Sequence, residues 1–587
     1  MYSEVNTQTH GVKRSSKRNW RLIIGIIIFF LLVVAIGAII YLRPGFQQAN
    51  WGESTVLVVG MERAGEELVE VDEGEIYIKL ESMQEYIDPG LFWDESEKTA
   101  IITNEDRVVH MQSEDQTAHI NLRPVEMEFP LRETEESFYL PLLFLENFYA
   151  VSINYHPASD TVVIEREEDN AISGKVKPDS LRLREKPSWR GPTLDILNAE
   201  DELIITTDSV EEEESDWYSV RTEEGMLGFV HERNVELTGD YEPEPEREEL
   251  PPKREKTEIE HPITLVWEFA YTTPDTSKIG EMEPVDVVSP TWFHVDDKEG
   301  NIRDIADPAY VEWARERGYQ VWALVTNSFD PELTAAVLTS SEKRKHIINQ
   351  LVTLANEYNL DGINIDFENF HFDYRDYFTQ FMRELAPLCR EEGLVLSVDV
   401  TIKSLSEYYG LSYDREALAG LVDYVALMAY DEHWGSSPVA GSVSSLPWVE
   451  KGIELTLEEV PPEKLLLGVP FYTRLWEIEE VEEEEEGEEE NDEKVSSNAY
   501  SMMRIDEILS EQDDVEIEWD EDAKQNLAVY EDNNKTYKVW LEDEDSMRQR
   551  IELINKHNLA GVAAWRRGFE KPDIWKIIDE VLTDYGP

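Results

Sequence analysis

The feature that most constrains the fold is a series of eight short apolar segments in the second half of the chain. They lie at 263–270, 285–295, 319–329, 360–370, 394–402, 422–434, 464–476 and 560–569, and amphipathic stretches separate most of them. Near-continuous apolar strands that alternate with helices are typical of parallel sheets covered on both faces. We therefore predict an α/β fold whose strands close into a (β/α)8 TIM barrel. A doubly wound open sheet is the alternative, but no glycine-rich phosphate loop follows the first segment.

The seventh and eighth segments are separated by roughly 80 residues, too many for a single crossover connection. We predict a small α+β insertion at 495–545 that forms one wall of a cleft. The stretch 477–494 contains 13 carboxylates and almost no apolar residues, and we predict a disordered, solvated loop there. Its spacing does not indicate a designed cation site, so no metal is predicted.

The fourth segment lies within the sequence NLDGINIDFENF at 359–370, in which polar and apolar residues alternate. Because successive side chains of a strand point to opposite faces, Asn364, Asp366 and Glu368 are predicted to share the face that looks into the barrel. Asp361 has the opposite parity and is interpreted as a structural residue. Buried carboxylates are costly without partners, so this column indicates a catalytic site at the C-terminal mouth. A salt-bridged interior network is the alternative.

Carboxyl groups two residues apart on one strand influence each other's ionisation. If Asp366 shares a proton with its neighbours, it can keep Glu368 protonated near neutral pH. A protonated glutamic acid at the mouth of a cleft can serve as the general acid for a leaving glycosidic oxygen. The strand offers no second carboxylate across the bond as a nucleophile, which suits a substrate that supplies its own.

The stretch DGINIDFEN resembles the Asp-x-x-Asp-x-Asp-x-Glu signature of glycoside hydrolase family 18, with Asn364 in place of the middle aspartate. Further elements in family order are SPTWF, ALMAYDEHW, GVPFYTRLW and GVAAWRRG. The resemblance covers about residues 261–587 and implies a catalytic domain at 262–587. The pattern is most similar to bacterial spore-cortex and cell-wall N-acetylglucosaminidases. A retaining, substrate-assisted hydrolysis without a cofactor is implied.

The resemblance also implies roles for individual residues. Glu368 would be the general acid and base, Asp366 would orient the substrate acetamido group, and Tyr430 would hydrogen-bond its oxygen. Asn364 and Asp431 would support these catalytic residues. The implied substrate-binding residues are Trp565 as the floor of the site, with Met428, Trp292 and Tyr472 as candidates that equally fit a place in the core.

The N-terminus contains a stretch of 21 uncharged residues at 22–42, preceded by a basic segment at 1–21. That length is sufficient for a membrane-spanning helix, and the positive charges indicate a cytoplasmic N-terminus with the rest of the chain outside the cell. A cleaved signal peptide is the alternative, but its apolar region would be shorter. We therefore expect a single-pass protein of the cell membrane.

Two accessory domains are predicted between this segment and the barrel. Residues 55–166 contain a duplicated unit, whose copies begin at Tyr77 and Tyr139 and run strand, short helix, turn and strand. They resemble the N-terminal-type domain of copper amine oxidases, but we do not take this resemblance to imply a copper site. The short strands at 171–238 resemble bacterial SH3-like domains that attach enzymes to the cell wall, with a spacer barrel as the alternative. Proline and charge mark a linker at 239–261.

The formal net charge of −73 and pI near 4.3 exclude a general nucleic-acid binder, because phosphate backbones would be repelled. Since the acidic excess runs through every domain, it indicates a salt-adapted, halophilic surface, with a cation-binding surface as the alternative. We expect a monomer that acts on peptidoglycan. Two alternatives remain: a chitinase of the same mechanism, or a non-catalytic carbohydrate-binding protein on the same barrel.

Overall fold

The computed structural model describes residues 17–41, 47–135, 137–211, 216–243, 253–257, 259–271, 274–481 and 492–583, with no side chains described at 17–22, 37–41, 210–211, 480–481 and 492–493. The chain forms two compact units. One comprises Met1–Pro89 and Leu131–Glu249, and the other comprises Gly90–Pro130 and Leu250–Pro587.

The first helix extends over Lys17–Tyr41. Among the described residues, the structure contains no helix that is both long and apolar enough to cross a bilayer. The transmembrane segment predicted at 22–42 is therefore not supported, and its ends at 22 and 37–42 lie outside the described side chains.

Both halves of the predicted duplication begin with a strand followed directly by a helix, Leu80–Tyr86 in the first and Leu142–Tyr149 in the second. The two leading strands pair antiparallel, with Ile78 opposite Leu140. The first unit contains two four-stranded sheets. In sheet order their strands are Val151–His156, Thr161–Arg166, Val56–Val59 and Glu62–Glu66, then Arg132–Glu133, Phe138–Pro141, Glu75–Lys79 and Val69–Asp72.

The short strands predicted after the duplication form one seven-stranded sheet in which all pairings are antiparallel. Its interior is a cluster of buried aliphatic side chains that includes Leu183, Val220 and Val230. The resemblance to SH3-like domains stays a prediction. In sheet order the strands are Thr193–Leu197, Leu181–Arg184, Leu227–His231, Trp217–Thr222, Glu202–Ile205, Ala171–Val176 and Val235–Tyr241. The short helix Thr207–Glu211 belongs to the same region.

The second unit contains the predicted barrel. Eight parallel strands pair in sequence, and the first strand also pairs with the eighth, which closes the ring. Each segment predicted as a strand contributes one barrel strand, so this part of the fold prediction is confirmed. The barrel strands are Ile263–Glu268, Val287–Val295, Gln320–Thr326, Gly362–Asp366, Val395–Thr401, Tyr424–Met428, Leu465–Pro470 and Gly561–Trp565.

The two faces of the barrel strands enter different cores. Ile363, Ile365 and Phe367 pack in the large cluster between the barrel and its helices, whereas Trp267 and Trp322 belong to the cluster inside the barrel. Gly362 leaves room for the Trp322 ring, because a Cβ there would lie 2.7 Å from it. The surrounding helices are Pro308–Glu316, Pro331–Leu338, Ser341–Glu357, Arg375–Glu392, Arg415–Leu421, Leu446–Thr456, Glu544–His557 and Pro572–Thr583.

The insertion before the eighth strand is a five-stranded sheet with one helix, and it begins earlier than predicted. The prediction of a loop throughout 477–494 is wrong at both ends. The residues at each end of this stretch lie in two antiparallel strands, which pair from Glu477 opposite Ser496 to Val481 opposite Asp492. Lys535 bonds the Glu477 carboxylate and offsets its charge. Residues 482–491 lie outside the described residues. The elements are Tyr472–Val481, Asp492–Ser501, Met502–Ser510, Glu516–Asp520, Gln525–Asp532 and Lys535–Trp540.

Part of the predicted module at 55–166 belongs to the barrel's own unit. It forms a five-stranded sheet and docks on two barrel helices through buried polar contacts. His110 Nε2 lies 3.2 Å from Glu384 Oε2, and Arg344 donates from Nε to Glu384 Oε1 at 2.9 Å. The sheet strands are Phe92–Asp94, Thr99–Thr103, Val108–Gln112, Thr117–Ile120 and Arg123–Glu126.

Replacing Arg344 with methionine is expected to destabilise the barrel unit by about 3–5 kcal/mol, because it leaves the Glu384 carboxylate buried without its cation. Both side chains are 0% exposed. The measurement is denaturant unfolding of the full chain. The matched control is Arg548→Met, which breaks the solvated pair with Glu580 and should cost less than about 1 kcal/mol. Equal effects of the two substitutions would contradict the prediction.

Candidate active site

The site lies where the fourth barrel strand, Gly362–Asp366, ends at the C-terminal mouth. Glu368 follows the strand and is partly exposed. The buried Asn327 holds its backbone on both sides: the Glu368 N–H donates to Asn327 Oδ1 at 3.1 Å, and Asn327 Nδ2 donates to the Glu368 carbonyl at 2.6 Å. The Tyr413 hydroxyl donates to the carbonyl of Phe367 at 2.9 Å. The backbone that carries Glu368 is therefore fixed from two neighbouring loops.

Asp366 is buried at the end of the same strand, and its Oδ1 atom has no hydrogen-bond partner. A buried carboxylate oxygen without a partner is costly, so this atom is suited to accept a hydrogen bond from a ligand or to carry a proton. Burial and then the nearby Asp399 raise the pKa of Asp366 well above its ordinary value.

Asn364 lies one step deeper and has its full set of hydrogen bonds. Its Oδ1 accepts from Trp267 Nε1 at 3.0 Å and from the Ser289 hydroxyl at 3.1 Å. Its Nδ2 donates to Ser397 Oγ at 3.0 Å and to Asp399 Oδ1 at 2.7 Å. The amide is therefore locked between the first, second and fifth barrel strands.

Asp399, on the fifth strand Val395–Thr401, is a residue that sequence reasoning missed. It is 1% exposed. The signal was present in the sequence VLSVDVT, where Ser397 and Asp399 share one parity and Leu396 and Val398 the other, as in the fourth strand. Burial raises the pKa of Asp399, and the charge of Glu368 adds to this shift.

Glu368 is surrounded by acidic groups. Burial raises its pKa well above the ordinary value, and the charges of Asp366 and Asp431 raise it further. The charges that act on both Asp366 and Glu368 come from other carboxyl groups, which is the opposite of a salt-bridged network. The arrangement favours a protonated glutamic acid at the mouth.

Tyr430 follows the sixth strand, and its ring lies edge-on to Tyr472, with 6.2 Å between the ring centroids. Burial raises the pKa of the Tyr430 hydroxyl well above its ordinary value, so it stays a hydrogen-bond donor at neutral pH. The Tyr472 hydroxyl donates to Asp431 Oδ1 at 2.6 Å, and Arg474 Nη2 lies 3.5 Å from the same oxygen. Tyr472 and Arg474 come from the insertion, which thus contributes directly to the site.

The remaining residues predicted to bind substrate lie either at the ends of barrel strands or in the core between the barrel and its helices. Trp565 ends the eighth strand partly exposed, with its ring centroid 6.2 Å from that of Trp267, and Met428 ends the sixth strand almost buried. Trp292 is 1% exposed and packs against Tyr310 in the core between barrel and helices. The prediction of Trp292 as a substrate-binding residue is therefore wrong, since it presents no surface to a ligand.

Exposed aromatic rings occur in several loops that follow barrel strands at the mouth, another feature that sequence reasoning missed. Tyr271 is 80% exposed after the first strand, and Trp434 is 53% exposed after the sixth. Such rings offer flat apolar faces to a ligand. The other exposed rings in loops on this side are Phe269, Phe329, Phe372, Tyr408 and Tyr409.

Comparisons with known proteins agree with this geometry. Residues 325–570 match the model of glycosyl hydrolases family 18, and residues 66–164 match the copper amine oxidase N-terminal domain. The chain is 23% identical over 323 residues to the uncharacterized glycosylase YvbX of Bacillus subtilis, covering 52% of this chain and 89% of that protein.

It is also 26% identical over 261 residues to a cortical fragment-lytic enzyme of the same organism, covering 44% of this chain and 58% of that enzyme. The solved spore cortex-lytic enzyme SleL of Bacillus megaterium is 23% identical, with a TM-score of 0.48 over 59% of this chain and 78% of that chain. The barrel described here is therefore a glycosidase domain that is similar to glycosyl hydrolases family 18 over residues 325–570, and a segment similar to the copper amine oxidase N-terminal domain precedes it in the same chain.

Proposed function

We propose that the protein hydrolyses β-1,4 linkages of N-acetylglucosamine-containing glycan, most of all peptidoglycan, with retention of configuration and with help from the substrate's own acetamido group. The observation that carries the proposal is the pair at the mouth: a partly exposed Glu368 with a raised pKa, next to a buried Asp366 whose Oδ1 atom lacks a partner. One residue can donate the proton, and the other can accept an amide hydrogen.

In the first step, Glu368 protonates the glycosidic oxygen while the acetamido carbonyl oxygen attacks the anomeric carbon and forms an oxazolinium ion. Asp366 accepts the acetamido N–H, and Tyr430 donates to the acetamido oxygen. In the second step, Glu368 acts as a base and activates a water molecule, which opens the oxazolinium ring from the face left by the leaving group. Two inversions at the anomeric carbon give net retention.

Asp431 is the other carboxylate whose charge acts on Glu368, but its position does not favour a nucleophilic role. Tyr472 donates a hydrogen bond to its Oδ1 atom and Arg474 pairs with the same atom, so one of its oxygens is engaged by the insertion. A retaining glycosidase with a protein nucleophile needs a free second carboxylate across the bond. This arrangement supports the substrate as the source of the nucleophile.

Peptidoglycan is proposed as the substrate because a similar protein of Bacillus subtilis is named a cortical fragment-lytic enzyme. The exposed rings around the mouth support a polymeric glycan over a single sugar. Chitin is the second candidate, since it presents the same acetamido group to Glu368. A purely carbohydrate-binding role is disfavoured, because the chain retains the acidic residue of the signature.

The test is to digest purified peptidoglycan and chitin oligomers side by side and to identify each new reducing end by mass spectrometry after borohydride reduction. N-acetylglucosaminitol from peptidoglycan supports the proposal. Reduced muramic acid would contradict the glucosaminidase assignment, and cleavage of chitin alone would make the protein a chitinase.

The alkaline limb of the pH profile of kcat/KM is expected well above the ordinary pKa of a glutamic acid. Glu368 must be protonated to act, and burial together with Asp366 and Asp431 raises its pKa. Activity should therefore persist to neutral pH and fall as the pH rises through that raised value. Thermal melts at each pH separate titration from unfolding. An alkaline limb near pH 4.5 with the protein still folded would contradict the assignment.

The proposed location is the outer surface of the cell membrane, with the uncharged segment 22–42 as the anchor. The support is the length of that segment and the basic residues before it. We expect the full chain to stay in membranes after an alkaline wash, and a chain lacking 1–42 to be released.

The acidic surface supports a salt-adapted protein. Activity that is highest in dilute buffer would contradict that proposal.

A further inference from the structure

The fourth strand has an amide where the family signature has a second aspartate, and the structure shows what this amide does. Asn364 uses both hydrogen-bonding positions of its oxygen and both hydrogens of its nitrogen, one of them toward Asp399 Oδ1 at 2.7 Å. An amide in that position has no capacity left to take a proton from Asp366. A proton held by Asp366 must therefore pass to another group.

Asp399 is the carboxyl group placed to accept the proton that Asp366 releases. It is buried on the neighbouring parallel strand, oriented by the Asn364 amide, and its charge acts on Asp366. Among the described residues, the titratable groups that interact with it or feel its charge are Asp366 at the end of the fourth strand, Glu368 just after that strand, Tyr413 in the loop before the helix Arg415–Leu421, and Tyr430 after the sixth strand. All of them are acidic. Two neighbouring carboxyls in such surroundings do not ionise together.

We infer that Asp399 replaces the missing carboxylate of the signature: it and Asp366 together hold one proton, and Asn364 fixes Asp399 in the orientation that this sharing needs. The inference rests on the proposed function. In the resting site the proton resides on Asp366. When the substrate acetamido group arrives, the O–H bond on Asp366 breaks and one on Asp399 forms, so the total charge is unchanged. Asp366 is then ionised beside the oxazolinium ion. Asp399 acts through Asp366 and is a positioning residue.

The experiment is a reciprocal exchange of the two side chains. Asp399→Asn removes the proton-holding group and keeps the shape and the acceptor toward Asn364. The double variant Asn364→Asp with Asp399→Asn returns one carboxyl and one amide to the same pair, with the hydrogen bond reversed. Asp376→Asn, whose side chain is 81% exposed, is the matched control.

Asp399→Asn is expected to lower kcat/KM by about tenfold or more and to move the alkaline limb to lower pH, since each pKa unit changes the protonated fraction tenfold. The double variant should recover most of kcat/KM and the parental pH profile. Asp376→Asn should change neither. Parental kinetics in Asp399→Asn would overturn the inference, as would a folded double variant that is no better than Asp399→Asn.

A stability measurement tests the inference without any activity. A carboxyl whose pKa is raised by folding binds more protons in the folded state. The stability it confers therefore falls as the pH rises from about 4 to the pKa of that carboxyl in the folded protein. The difference in melting temperature, Asp399→Asn minus parent, should therefore increase over this range. A difference independent of pH would overturn the inference. If the parent protein cleaves no glycan, the proposed function fails, whereas this thermal result stands on its own.

Discussion

Replacing Glu368 with glutamine should reduce kcat on peptidoglycan by about a thousandfold, within the range that a positioned general acid contributes. The glutamine side chain has the same size but cannot donate an acidic proton to the glycosidic oxygen or later activate water. Because Asn327 holds the Glu368 backbone through its amide and carbonyl, the substitution should leave the position of the side chain unchanged. KM is expected to change little, since substrate binding relies on other groups.

The measurement is the initial rate of reducing-sugar release, with melting temperatures recorded for both proteins. Glu332→Gln is the matched control, because that side chain is 83% exposed and pairs with Lys298 at the surface; its kcat should equal that of the parent. A Glu368→Gln protein that releases sugar at the parental rate would show that the acid lies elsewhere.

Removing the acetyl groups from the substrate should have an effect of similar or greater size. Without the acetamido carbonyl there is no internal nucleophile, and well-placed internal nucleophiles correspond to effective molarities of about 10⁵ M and above. We therefore expect at least about a thousandfold loss of kcat/KM on N-deacetylated glycan.

The matched control is the same deacetylated glycan after chemical re-N-acetylation, which should restore hydrolysis to the starting rate. Hydrolysis of the deacetylated glycan at an undiminished rate would show that a protein carboxylate supplies the nucleophile, with Asp431 as the first to test. The two experiments are independent, because one changes the enzyme's proton donor and the other changes the substrate's nucleophile.

The barrel and the polar column were predictable because both follow from local periodicity. Strand side chains alternate between faces, so the placement of Ile363 and Ile365 outside and of Asn364 and Asp366 inside can be derived from the sequence. The same rule applies to the second strand. Ser289 faces inward to bond Asn364, and Trp292, three residues later, has the opposite parity and enters the outer core.

The partnership between Asn364 and Asp399 could not be predicted, because it depends on which strands are neighbours and on their register. The fourth and fifth strands pair with Asn364 opposite Ser397, and this register brings Asp399 within reach of the amide. The insertion shows a different limit. Charge density around Glu477 indicates a solvated loop, yet hairpin hydrogen bonds and the nearby Lys535 stabilise strands there.

The docking of the segment Gly90–Pro130 on the barrel is another long-range property. Nothing local in the sequence around His110 or Arg344 indicates that they meet at Glu384, which lies 274 positions from His110. Sequence similarity assigns this segment to the accessory domain, whereas its packing makes it part of the barrel's unit.

The most direct test of the proposed chemistry is the anomeric configuration of the first product, followed by proton NMR before mutarotation equilibrates the new reducing end. An oxazolinium intermediate opened by water from the face of the departed leaving group predicts the β anomer first. Appearance of the α anomer first would mean a single inversion by water, and it would contradict substrate-assisted catalysis by Glu368 and Asp366.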